Sequence, residues 1–167
     1  GVPIFFYDKL SWSFTEVGSF MASWIIFYGI IQSLAPKLLK IFYGNNFSEN
    51  EQAFIWAIKL LLIIACLGIL SYTYDYNGYL ICMGLFLFGF IFAINSSIHS
   101  YLILALAKKN DVTLDVGFYY MANAMGRLLG CIISGFSYQI AGLIGCFVFA
   151  GIFLFFCSVF SFYLKRY

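Results

Sequence analysis

Arg127 is the residue in this sequence that most needs a chemical reason. It stands in the run VGFYYMANAMGRLLGCIISGFSY, residues 116–138, where apolar side chains dominate and no acidic one occurs. A guanidinium stays charged at any physiological pH, so inside such a run it must pair, bond backbone carbonyls or face water. Its planar fork of donors suits a carboxylate or phosphate, which makes recognition of an anionic solute the chemistry it could perform. An internal ion pair, or bonds to carbonyls, is the competing reading. At helical spacing Arg127 shares a face with Tyr120, Asn123, Ser134 and Tyr138, a polar stripe suited to lining a cavity. The adjoining edge repeats Ala122, Gly126, Gly130 and Ser134 every four residues, a small-residue pattern that lets helix backbones approach closely.

A second polar cluster is NSSIHS, residues 95–100. Asn95, Ser96, His99 and Ser100 lie three or four apart and share one side of a helix, whereas Gly89, Ala93 and Ser97 form a separate small-residue row for packing. His99 is the only histidine. Its unperturbed pKa of about 6.5 would let it carry a proton or bond an anion, and a plain hydrogen bond to a neighbouring helix is the alternative. Gln32, one turn from Tyr28 and two from Trp24, faces either the same cavity or a packed helix surface. The candidate solute-binding set is therefore Arg127, Asn123, Tyr120, Asn95, Ser96, His99 and Gln32. Lys59 is expected to extend its ammonium to the lipid headgroups.

Other chemistries find little support. A serine nucleophile needs a histidine on another element, and His99 has serines in register only on its own helix. No Gly-x-Ser-x-Gly elbow or Walker-type phosphate loop occurs, so an enzyme is not expected. One histidine and no acidic residue inside an apolar run give no metal site, and no cofactor is expected. The five cysteines, Cys66, Cys82, Cys131, Cys146 and Cys157, all fall in apolar runs, where small-residue packing is their expected role. Asn46 and Asn95 each open an Asn-x-Ser pattern, one in an expected inner loop and one in a helix, so neither suits glycosylation.

The elements that must hold these residues are membrane helices. Hydrophobic residues make up 63% of the chain and charged ones 10%, and the mean hydropathy is +0.95, so water is not the main solvent. The apolar blocks approach the ~20 residues that cross a hydrocarbon core of about 30 Å. A net charge of +2 gives no reason to expect nucleic acid. The chain opens on Gly1, and GVPIFFY reads as the end of an earlier span, with an N-terminal part missing. Five spans then follow. The first runs over about 14–35, opened by Ser13 with Glu16 in capping-box spacing and ended or kinked by Pro36. The second runs over about 49–72, with Ser48 and Glu51 in the same spacing. The third, about 78–106, is roughly 40 Å long and must tilt, break or protrude. The fourth, about 113–138, joins the fifth, which ends near 164, through a short link at Gly142, so these two are antiparallel neighbours.

Loop charges supply the orientation. Lys37 with Lys40, Lys108 with Lys109, and Lys165 with Arg166 fall on one set of alternate connections, and only Lys9 on the other. Basic residues accumulate on the cytoplasmic side, so the C-terminus is expected there. Tyr72, Tyr74, Tyr76 and Tyr79 would then form an outer aromatic belt.

The span alternation, the short fourth-to-fifth link and the GRLLG stretch resemble the C-terminal half of a major facilitator superfamily transporter. The blocks GVPIFFYDKLSWSFTEVGSF, WIIFYGIIQSLAPKLL, NSSIHSYLILAL and DVGFYYMANAMGRLLGCIISGFSYQ are similar to the ArsJ-type organoarsenical efflux permeases. That resemblance implies a bacterial inner-membrane exporter of an arsenylated phosphoglycerate, made by a partner glyceraldehyde-3-phosphate dehydrogenase. It implies no residue roles. The chain departs from the superfamily's Gly-x-x-x-Asp-Arg-x-Gly-Arg loop: Gly29 is followed by Gln32, Ser33, Pro36 and Lys37. The expected architecture is an all-α polytopic helix bundle, with five complete spans plus the end of a sixth. The expected function is secondary active export of a small anion by alternating access, in a cavity completed by a six-helix N-terminal half. The alternative is a non-transporting membrane subunit packed on a partner protein.

Overall fold

The computed structural model describes residues 1–44, 49–73, 77–107 and 112–164, and among these every regular element is helical. The expected basic residues Lys108, Lys109, Lys165 and Arg166, together with Asn46, Ser48, Tyr74 and Tyr76, lie outside the described residues.

Helix α1, Val2–Leu10, carries Pro3 in its first turn, where no backbone donor is needed, and buries Phe5 and Phe6 completely against later helices. Helix α2, Phe14–Tyr43, opens on the expected capping box. The Ser13 backbone N–H donates to Glu16 Oε2 at 2.7 Å and the Glu16 N–H to Ser13 Oγ at 3.3 Å, so two otherwise free donors are satisfied. Pro36 does not end this helix, which continues to Tyr43. The lost backbone bond is offset by packing, since Ala35 and Leu39 on either side of it are buried against α3 and α4. Helix α3 is Glu49–Thr73. Helix α4, Gly78–Leu106, is unbroken and is capped by Asn77, whose side-chain oxygen accepts from the N–H groups of Tyr79 and Leu80.

Helix α5, Val112–Leu164, would be about 80 Å long if straight, more than twice a hydrocarbon core. It is instead two helices joined at a break, with Ala141 at φ −137° and Gly142 at φ 60°, ψ −150°. An L side chain avoids that second conformation, so Gly142 is the residue that permits the reversal. The first arm, 112–140, and the second, 143–164, fold back on each other: the Cys146 thiol lies 3.4 Å from the Ser134 carbonyl. The four long helices are each apolar enough to cross a membrane, and the break makes α5 a pair of spans. The protein is thus an all-helical membrane bundle.

Two buried clusters hold the bundle. Phe5 and Phe6 meet Ile64 and Leu67 of α3, Ile81 of α4, and Leu143 and Phe147 of the second arm. Nearer the other end of α3, Ala53 and Trp56 meet Ala35 and Leu39 of α2 and Ile94, Ile98 and Leu102 of α4. Helix α2 therefore packs on α4, α4 on α3, and α3 on the second arm. Outward, Ile26, Leu62 and Ile69 are each more than 60% exposed, as befits surfaces whose solvent is lipid.

Candidate functional site

The packing order leaves α2 and the first arm on either side of α4, and a cavity of about 520 Å³ opens between them. Helix α2 contributes Trp24, Ile25 and Tyr28, and α4 contributes Phe92, Asn95, Ser96 and His99. The first arm adds Tyr119, Asn123 and Arg127, and the second arm Cys157. A further hollow of about 420 Å³ between α3 and the second arm has Tyr72 as its only polar lining residue among the described residues. Convergent polar groups distinguish a solute site from a lipid-facing groove, so the first cavity is the candidate.

Arg127 is exposed in this chain, and its Nε donates to Asn123 Oδ1 at 3.2 Å, one turn earlier on the same arm. That bond fixes the side of the guanidinium nearest the backbone and leaves the two terminal nitrogens for another acceptor. Among the described residues no carboxylate pairs with it. The internal ion pair that could have neutralised it is therefore missing from this part of the chain.

Helix α4 arranges its polar side chains as an inward column. His99 Nδ1 lies 2.9 Å from the Asn95 backbone oxygen. A carbonyl only accepts, so Nδ1 carries the proton, and in the neutral ring Nε2 is the free acceptor. Ser100 Oγ donates to the Ser96 carbonyl at 3.0 Å and lies 3.5 Å from the Tyr119 hydroxyl, which ties the first arm to α4. Gln32 Nε2 donates to Ser96 Oγ at 3.4 Å, tying α2 to the same column. Asn95 is only 7% exposed, and its side-chain oxygen has no hydrogen-bond partner among the described residues.

Of the seven residues singled out from the sequence, five line the cavity: Arg127, Asn123, Asn95, Ser96 and His99. Gln32 stands one hydrogen bond behind it. Tyr120 does not line it; its ring is 63% exposed and leans on Tyr119, which takes the cavity position. The reason is helical register, because residues 119, 123 and 127 form a four-residue ridge that meets α4, and Tyr120 lies a further 100° around the arm. Ser134 and Tyr138 share the stripe but not the cavity. Ser134 faces Cys146 of the second arm, and Tyr138 packs on the Phe5 and Phe6 cluster. The stripe is continuous on its own helix, but its neighbours change along its length.

The small-residue edges also divide. Gly89, Ala93 and Ser97 are buried, and a Cβ built at Gly89 would lie 2.9 Å from the Trp24 indole nitrogen. On the first arm Ala122, Gly126 and Gly130 are exposed, with nothing within 4 Å of a Cβ built at either glycine. Lys59 folds over the Trp56 ring, its ammonium 3.9 Å from the centroid, a cation–π contact in place of the expected full extension. Phe92, Tyr119, Ile25 and Cys157 are lining residues that polarity and spacing alone did not select.

The family model of the Major Facilitator Superfamily matches residues 1–167. No curated protein and no solved structure matches the chain.

Proposed function

The chain belongs to the major facilitator superfamily, a family of membrane transporters and not of enzymes, and we propose that it is the C-terminal half of a secondary exporter for a small organic anion. The observation that carries this reading is Arg127, a permanent cation at an open cavity with no carboxylate beside it among the described residues. Anion binding would supply the missing countercharge. Asn123 positions the guanidinium, and Ser96, His99 and Asn95 stand across the cavity as hydrogen-bonding groups. An upstream six-helix half would close the open side and, by rocking against this half, expose the cavity to either face of the membrane in turn. The C-terminus would be cytoplasmic, in a bacterial inner membrane, and the outward direction is taken from the sequence resemblance alone.

The sequence resemblance makes an arsenylated phosphoglycerate, or a related organoarsenical, the first solute to try. A glyceraldehyde-3-phosphate dehydrogenase would be the enzyme producing it. The test is efflux from cells carrying the intact transporter. Arg127→Ala is expected to lower efflux about 100-fold, the loss of one charged hydrogen-bonding group. Arg127→Lys should keep part of it, since charge remains but the fork is gone. Efflux by both variants at the parent level would remove Arg127 from the site.

The uncovered edge at Gly126 and Gly130 favours a second reading, in which the first arm seats a partner and the chain is a non-transporting subunit. Co-purification of one stoichiometric partner, without solute flux in proteoliposomes, would select it.

A further inference from the structure

The wall opposite Arg127 is made of rings. Trp24 and Tyr28 lie one turn apart on α2 with centroids 5.9 Å apart and planes within 15°. Tyr28 meets Phe92 of α4 at 5.4 Å and 33°, and Phe92 stacks on Phe88 at 5.6 Å and 11°. Trp24, Tyr28 and Phe92 therefore line the cavity as a linked set of rings, and Arg127 enters it from the first arm. These three rings belong to neither buried cluster of the bundle, and Phe92 is 37% exposed.

The surface is also fixed in place. The Trp24 indole N–H donates to the Leu85 backbone oxygen at 2.8 Å, and the absent side chain of Gly89 makes the notch in which the indole sits. A ring held by its own hydrogen bond and stacked on the next has little freedom to lose on binding.

We infer that the solute held by Arg127 carries a flat apolar or aromatic body, which Trp24, Tyr28 and Phe92 receive while the guanidinium takes its anionic head. The inference rests on the anion reading above and, within it, favours an aryl or apolar anion over the hydroxylated phosphoglycerate named there. Ring carbon gives a carboxylate or phosphate no hydrogen bond in return for its lost water, whereas an apolar or aromatic surface packs on it favourably. The two walls therefore want opposite ends of one molecule. A compact polyhydroxylated anion would press hydroxyl groups against the rings and lose their hydration without return.

Phenylphosphonate and methylphosphonate share the anionic head and differ in the ring, and glycerol 3-phosphate is the compact hydroxylated comparison. Equilibrium binding of each, radiolabelled, to the intact transporter in nanodiscs is expected to favour phenylphosphonate over methylphosphonate by about tenfold, the worth of one good aromatic contact. Phe92→Leu and Tyr28→Leu should each bring that ratio toward one, and Phe92→Trp should preserve it, which separates a ring contact from partition into lipid. Arg127→Gln should lose both phosphonates. Equal binding of the two phosphonates by the parent, or tighter binding of glycerol 3-phosphate, overturns the aromatic wall while leaving the anion reading intact if Arg127→Gln still loses binding. Parent-level binding by Arg127→Gln overturns the anion reading itself, and failure of phenylphosphonate to bind the parent counts against the wall.

Discussion

The two arms of α5 are both largely apolar, the second more so than the first, and they are put to opposite use. The second arm buries Leu143 and Phe147 in the main cluster and brings Gly145 so close to the first that an added Cβ would lie 2.7 Å from the Ser137 carbonyl oxygen. The first arm, beyond that contact, is largely uncovered: at Gly117, Gly126, Gly130 and Gly135 a Cβ would meet nothing within 4 Å. Hydropathy ranks the second arm above the first but does not say which of them packs, because both read as lipid-compatible helix. What separates them is where polar groups are tolerated. Asn123 and Arg127 occur on the arm that has given up its packing, and the arm that seals the bundle carries no charged residue over 143–164.

That contrast can be broken by substitution. The largest effect is expected at Gly145→Ala, where the new methyl meets backbone and not a flexible side chain. Overpacking of this kind costs about 2 kcal/mol, read as a lowered unfolding midpoint in detergent. A smaller loss, about 1 kcal/mol, is expected for Gly142→Ala, whose φ of 60° disfavours an L residue at the link between the arms. Gly130→Ala should change stability by less than about 0.5 kcal/mol, since open space surrounds that position. A cost at Gly130 equal to that at Gly145 would mean that the arms are packed alike and that the contrast is false.

Much of the helix layout was legible because local chemistry marks it. Ser13 with Glu16 announced the start of α2, and Gly142 announced the reversal within α5. Pro36 was legible as a breaker but not as a tolerated one, because the packing of Ala35 and Leu39 that holds the helix is a tertiary fact. In the site, rarity did the work: one histidine and one arginine within an apolar run stand out against their surroundings. Tyr119 could not be chosen over Tyr120 without knowing which ridge of the arm meets α4. The aromatic wall was hidden for the opposite reason. With 22% aromatic residues, a Trp24 or Phe92 carries no signal until its ring is seen outside the core and facing a cation.

Whether Arg127 looks into water is best decided by thiol accessibility. In the intact transporter with Cys66, Cys82, Cys131, Cys146 and Cys157 replaced by alanine, single cysteines at Asn123, Ser96 and Arg127 would be exposed to an aqueous sulfonate thiol reagent. Leu62, on the apolar outer face of α3, is the lipid control. Modification is expected at 123, 96 and 127, slowed by bound phenylphosphonate at the first two positions, and none at 62. A thiol at 127 as inert as the one at 62 would place the guanidinium among acyl chains and contradict the account.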